Sequence, residues 1–423
     1  MRRGRALAAL AALVASCQRA PGVPTLEWYV NPDNGGQARL AARCAAASNG
    51  RYRIRVSGLP KDATQQREQL VRRLAARDRS IDLMSLDVPF VPEFAAAGFL
   101  RPFTAAEAEA LTAGVLKGPV ESATWRGRLW AAPFGANTQL LWYRKAVARK
   151  AGLDPSASPV TWAELVAAAS RTGTTVAVQA KRYEGYMVWI NALVASAGGR
   201  ILEDPGAAGE VRPALDSPAG RRAAATIAAL ARSRAADPAL STADEESTRA
   251  AFQGGRGGFM VNWPYVYGAA RAAVEAGALA PAVLEDIGWA RYPRVDAGAP
   301  SRPPLGGIDL AVGAFSRHPE LAVEAVRCLA SAESQTAYMI DARNPAARAS
   351  AYDDPEVRRL FPMADLVRAS IDEAAPRPRT PYYPDVSAAT VRAFHPPAAV
   401  EPAETPARAA RLVDDVLHDR VLL

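Results

Sequence analysis

At 423 residues, with 49% hydrophobic and 22% charged side chains, the chain is too long for one core, and two lobes of an ordinary globular protein are expected. Its formal charge of +8 falls to +5 once Arg2, Arg3 and Arg5 are removed. The remaining Lys and Arg form no tract interleaved with aromatics, which excludes nucleic acid as a partner, and no second long apolar segment exists to span a membrane.

The three early arginines precede an apolar run over 6–14 and then Val14-Ala15-Ser16-Cys17. That order predicts a signal peptide over 1–16, with Cys17 lipidated and 17–24 serving as a lipid-anchored tether. An ordinary cleaved signal with an incidental cysteine is the alternative. Two or more acyl chains on Cys17 suffice for stable membrane anchoring.

Strands are expected at 26–30, 52–57 and 81–87, with helices at 37–48 and 65–76 between them. This alternation is the signature of a parallel sheet with crossover helices. Asp87 falls at a strand's carboxyl end, where it either faces a cleft or caps a short helix beginning near Pro89. Two further apolar runs, 129–134 and 138–143, flank Gly135-Ala136-Asn137, which reads as a turn and a hinge between lobes with Asn137 facing the cleft. A second α/β set follows over 145–302, with helices near 162–171, 186–197, 218–231 and 264–276. The run 306–312 reads as a return strand. No internal repeat interrupts this order.

Within the second set, Thr242 and Glu245 have capping-box spacing, so a helix is expected to start near Thr242 and stop at Gly254-Gly255. A buried strand over 258–261 then delivers Asn262 and Trp263 at its carboxyl end, just ahead of a helix opened by Pro264. Trp263 is therefore a candidate binding platform, although a tryptophan is highly buried on average and core packing is its plain alternative. Trp130 and Tyr186 are the next aromatics to consider. Cys44 and Cys328 each lie on a stretch of helical periodicity. They either remain buried thiols or form a disulfide that sets a late helix against the first one.

The segment Phe252-x-x-Gly255-x-x-Gly258-Phe259-Met260-x-x-Trp263, the lipobox and the double lobe together resemble the extracellular solute-binding proteins of carbohydrate importers of the ABC class. Within that family the chain is similar to the mycobacterial trehalose-binding lipoproteins of trehalose-recycling transporters. The likeness runs through Leu83 to Val88, Asn137 to Arg144, Ser196 to Gly199, Asn262 to Pro264, Gly306 to Val312 and Arg377 to Tyr383. The region 274–287 is shorter than in those relatives, which bears on the rim of the second lobe.

The resemblance implies a periplasmic-binding-protein-like α/β fold, with two lobes joined by a multi-strand hinge and a ligand cleft between them. Lobe 1 would comprise 25–135 with 307–348, and lobe 2 would comprise 136–306 with 349–423. It further implies that Asp87 and Glu246 accept from sugar hydroxyls, that Asn137 and Arg377 donate, and that Trp263 stacks on a pyranose. Asn31, Asp33, Asn34 and the Gly307 backbone would complete the shell. Carboxylates and guanidinium suit vicinal hydroxyls, and an aromatic face suits the C–H side of a sugar. The expected partners are a disaccharide, trehalose foremost, and permease subunits with a cytoplasmic ATPase. No cofactor or metal is implied, and a tethered cleft needs no second copy.

Two other readings remain open. One is a binding protein for another oligosaccharide or a sugar-phosphate-type solute. The other is a secreted glycoside hydrolase using Asp87 and Glu246 as its carboxylate pair. No Gly-x-Ser-x-Gly elbow, Walker loop, Cys-x-x-Cys pair or His-Glu-x-x-His helix supports other chemistry.

Overall fold

The computed structural model describes residues 22–33, 35–203 and 211–421. The expected signal, Cys17 and Asn34 lie outside the described residues. Two mixed sheets dominate. The first has the strand order Arg53–Gly58, Thr25–Val30, Leu83–Asp87, Leu305–Val312, Ala132–Thr138. Its first three strands are parallel and alternate with the helices Gly36–Ala47 and Ala63–Ala75, while the return strand Leu305–Val312 is antiparallel to both of its neighbours. The second sheet has the order Ile287–Ala290, Leu140–Arg144, Gly257–Asn262, Thr175–Ala177.

The strands of the second sheet are apolar through their middles, and each of their two faces enters a different core. Along Leu140–Arg144, Leu140 and Trp142 enter one core while Leu141 and Tyr143 enter the other, and the neighbouring Phe259 and Val261 oppose Met260 in the same way. This is the period-two alternation of a strand with no solvent face.

The turn expected at Gly135-Ala136-Asn137 is not there. These residues belong to the strand Ala132–Thr138, and Gln139 alone separates it from Leu140–Arg144 in the second sheet. Pairing with the return strand keeps them extended, Ala136 opposite Gly307 and Asn137 opposite Gly306. The glycines permit close backbone approach instead. Gly307 has φ +143°, and a Cβ there would lie 2.3 Å from the Gly135 carbonyl oxygen, beside a register irregularity between Ile308 and Asp309.

The helix before the Gly257–Asn262 strand also starts later than expected, at Glu245–Gln253. Asp244 is its N-cap: the Ser247 amide donates to the Asp244 carboxylate at 3.0 Å and the Asp244 amide donates to Ser247 Oγ at 2.8 Å. Thr242 lies in a preceding 3-10 turn. Two candidate boxes stand two residues apart, and the aspartate, a strong cap in its own right, takes the position.

Cys44 and Cys328 are bonded, with Cα atoms 5.8 Å apart. The bond ties the Gly36–Ala47 helix to the Pro319–Leu329 helix, the first and a late element of the same layer.

Candidate functional site

A cavity of about 970 Å³, open to solvent at its mouth, lies where strand ends of both sheets meet. Asp87 closes its strand in the first sheet, Trp263 follows the strand Gly257–Asn262 in the second, and Asn137, Gly306 and Gly307 come from the paired crossing strands. Tyr183 and Glu184 enter from the start of the Glu184–Ser196 helix, and Glu245 from the start of its own helix. Lys61 and Asp62 form the rim beside Asn31 and Gln66.

Arg377 is the ionic centre. Its side chain is 3% exposed. Nη2 donates to Asp87 Oδ1 at 2.7 Å, while Nη1 reaches Asp87 Oδ2 at 3.2 Å and Glu184 Oε1 at 2.8 Å. Nε has no partner. The loop that carries Arg377 is pinned just ahead of it: Leu305 donates its amide to Ala375 O at 2.9 Å, and Asn191 Nδ2 donates to Pro376 O at 3.1 Å. Glu184 accepts in addition from Tyr383 Oη and from Ser387 Oγ, the latter at 2.7 Å.

Burial lowers the proton affinity of the Arg377 guanidinium, but the Asp87 and Glu184 carboxylates more than compensate and hold it fully cationic. Burial pushes the Glu184 carboxyl up, an effect that Arg377 opposes. Asp309, fully buried one strand over, is raised well above the ordinary carboxyl range by burial and by the Asp87 charge. Asp87 gives no side-chain cap to the 3-10 turn that follows it; its carboxylate is committed to Arg377 instead.

Trp263 is held from two directions. Asn262, fully buried, accepts the Trp263 amide on Oδ1 at 2.8 Å and donates Nδ2 to Glu245 O at 3.0 Å and to Thr248 Oγ1 at 3.1 Å. The indole rests against Gly306, where a Cβ would come within 2.8 Å of its outer ring atoms. Glu245 accepts from Tyr183 Oη at 2.7 Å, and burial pushes its carboxyl up.

Of the residues expected to bind ligand, Asn31, Asp87, Asn137, Trp263, Gly307 and Arg377 share this wall. Asp33 does not. Its two oxygens accept the Gly35 and Gln37 amides at 2.9 and 2.8 Å, which commits it to the chain entering the Gly36–Ala47 helix. Glu246 is not among the lining residues either: it is 61% exposed and paired with Arg249 at 2.7 Å, beside Tyr265 and Lys61 at the edge of the cavity. Glu245, the helix residue set aside as a cap, holds the cavity position. Glu184 and Tyr183 carry no motif, and only the fold shows their place. Trp130 and Tyr186 stay outside: Trp130 Nε1 donates to Trp125 O at 3.0 Å, and the fully buried Tyr186 donates to Phe394 O at 2.9 Å.

The geometry agrees with comparisons to known proteins. The chain is 28% identical over 339 residues to a probable ABC transporter-binding protein of Deinococcus radiodurans, covering 77% of this chain and 76% of that one. A maltose-bound MalE3 structure from T. maritima superposes with a TM-score of 0.80 at 26% identity, covering 94% of this chain and 100% of the other. A shorter likeness, 51% over 41 residues, joins 10% of this chain to 9% of the sn-glycerol-3-phosphate-binding periplasmic protein UgpB of Yersinia pestis. The family model for bacterial extracellular solute-binding proteins matches residues 48–336, more than half of the sequence, and the chain belongs to that family.

Proposed function

We propose that this chain is the substrate-binding protein of an ABC importer and that it captures a neutral disaccharide, trehalose being the first to test, in the cavity around Arg377 and Trp263. The observation that carries the reading is the pairing, on one wall, of an aromatic platform with carboxylates already fixed by a buried guanidinium. The sugar's apolar face covers the indole, and its hydroxyls reach the free lone pairs of Asp87 and Glu245. The maltose bound to the T. maritima relative supports a disaccharide of this size.

Charge argues against a sugar phosphate, despite the short likeness to a glycerol-phosphate binder. The described wall carries Asp62, Asp87, Glu184 and Glu245 against Lys61 and Arg377, and Arg377 is already shared by two carboxylates. A phosphate would meet net negative charge with only the exposed Lys61 to receive it. A hydrolase is disfavoured as well, because Glu246 is paired with Arg249 at the cavity's edge and Asp87 is tied to Arg377, so neither carboxylate is free for the proposed catalytic pair.

In this reading 25–135 with 307–348 and 136–306 with 349–423 act as two lobes that close on the ligand. The closed form is selected because only there does the sugar touch both walls. Cys17 anchors the monomer to the extracytoplasmic membrane face, and the loaded protein docks on the permease. Calorimetric titration with trehalose, maltose, glucose and sn-glycerol-3-phosphate tests it. Saturable disaccharide binding without product release is expected. Preference for the phosphate, or silence towards every sugar, would overturn the assignment.

A further inference from the structure

Two local choices that a sequence ordinarily avoids meet at one point of this chain. Gly268 lies one turn inside the Tyr265–Glu275 helix, where alanine would hold the backbone better. Arg343, the C-cap of the Ala332–Ala342 helix, has φ +61°, a left-handed position that glycine or asparagine fills more easily. The two residues are in contact. A Cβ on Gly268 would lie 2.8 Å from Arg343 Cγ and 3.0 Å from its Cβ, atoms too near the backbone to swing aside. The absent side chain is what lets the arginine stem lie against the helix.

Electrostatics adds a third local cost. Burial and the charge of Arg271, one turn along from Gly268, both press the proton affinity of the Arg343 guanidinium down, with Glu275, Asp341 and Glu356 opposing. Arg343 donates Nη1 to Ile340 O at its own helix end, and among the described residues no carboxylate pairs with it directly. Arg271 leans instead towards Glu275, at 3.7 Å.

The contact joins the layers of the two sheets. The Tyr265–Glu275 helix follows the strand that delivers Trp263 in the second sheet. The Ala332–Ala342 helix lies on the Gly36–Ala47 helix of the first, with Tyr338 and Ala342 so close to Gly36 that a Cβ there would come within 3.0 Å of both. Both partners flank the cavity without lining it: Tyr265, three residues before Gly268, and Asn344, next to Arg343, are the wall residues. In the division proposed above they belong to opposite lobes. A helix glycine and a left-handed arginine each disfavour their own element, and both serve only the close approach of two bodies. Like charges brought together by that approach favour parting again, so the contact has two arrangements of similar free energy.

From this geometry we infer that Gly268 and Arg343 form a closing contact between the lobes. Gly268 is the positioning residue that lets the lobe bearing Trp263 approach the lobe bearing Asp87, and the repulsion between Arg343 and Arg271 keeps the approach reversible. Because neither residue lines the cavity, the contact sets how tightly a sugar is held and not which sugar is chosen. The inference rests on the reading in which two lobes close on a sugar, and adds residues that govern the closure.

Titration calorimetry with trehalose and maltose, and thermal melts without sugar, test this on the full chain. Gly268→Ala improves helix propensity and should leave the sugar-free Tm unchanged or raised. It should nevertheless weaken disaccharide binding roughly fivefold to a hundredfold, the range of an overpacked contact felt only in the closed form. Arg343→Gly gives the added methyl group room and suits the left-handed backbone, so the double variant Gly268→Ala/Arg343→Gly should recover most of the lost affinity. A permanent packing contact would instead be strained with or without sugar. A lowered sugar-free Tm in Gly268→Ala, including failure to fold, would therefore overturn the closing contact, as would unchanged affinity or a loss that Arg343→Gly does not recover. Each of these leaves the sugar-binding reading standing, whereas wild type that binds neither sugar would overturn both.

Discussion

Replacing Arg377 with methionine removes the guanidinium while keeping an apolar stem of similar length. Asp87 and Glu184 then lose their shared counter-charge in a place where the Arg377 side chain was 3% exposed and theirs 17% and 10%. Breaking a buried ion pair on one side costs about 3–5 kcal/mol, because the partner left behind is an uncompensated charge. For an unfolding unit the size of one lobe, that corresponds to roughly 6–20 °C in Tm. The loss should depend on pH. The Glu184 carboxyl is pushed above its ordinary pKa by burial even with Arg377 opposing, and without Arg377 it rises further. A carboxyl raised in the folded state favours folding below its unfolded pKa, and that contribution disappears as pH rises through the folded value. The variant should therefore lie closer to wild type near pH 5 than near pH 8. Urea or thermal unfolding at the two values measures this. A penalty under about 1 kcal/mol, or one that does not shrink on acidification, would refute the claim that Arg377 holds two buried carboxylates.

Trp263→Ala should weaken sugar binding at least tenfold by removing the stacking face, read by calorimetry. Gly306→Val, whose Cβ would meet the indole at 2.8 Å, should reproduce much of that loss by turning the ring. Glu245→Gln should lower affinity, since this carboxylate holds Tyr183 and lines the cavity, whereas Glu246→Gln should change affinity less than about twofold, as expected for an exposed ion pair. Reduction of the Cys44–Cys328 bond, which closes a sequence separation of 284, should cost about 2–5 kcal/mol of stability in denaturant titration; an unchanged midpoint would show that the bond adds nothing.

Much of the fold is legible in the sequence because its strands and helices obey simple periods. The βαβαβ start, the Pro218–Ala231 helix and the strand that delivers Trp263 all follow from apolar spacing and punctuation by glycine and proline. What local reading cannot supply is the tertiary partner. Gly135-Ala136-Asn137 has the composition of a turn, and only pairing with Gly306 and Gly307, far along the chain, makes it a strand. The Glu245 and Glu246 assignment turns on the same limit. Thr242 and Asp244 compete to cap one helix, and a shift of two residues in its start decides which acid faces the cavity. Glu184 has no local signal at all, since its role is defined by Arg377, Tyr383 and Ser387, nearly two hundred residues away.

The unfilled valences of the site narrow the solute further than its shape does. Arg377 has spent Nη1 and Nη2 on carboxylates, and its Nε is closed off from the cavity. Asp87 and Glu245 retain lone pairs beyond those already used. An anion is repelled by the surrounding acids. An ammonium finds Asp87 and Glu184 already neutralised by Arg377. A hydroxyl both donates and accepts without bringing charge, so a ligand bearing several hydroxyls in fixed positions is the chemistry that completes this wall, and the prearranged Arg377 network leaves little to reorganise when it does.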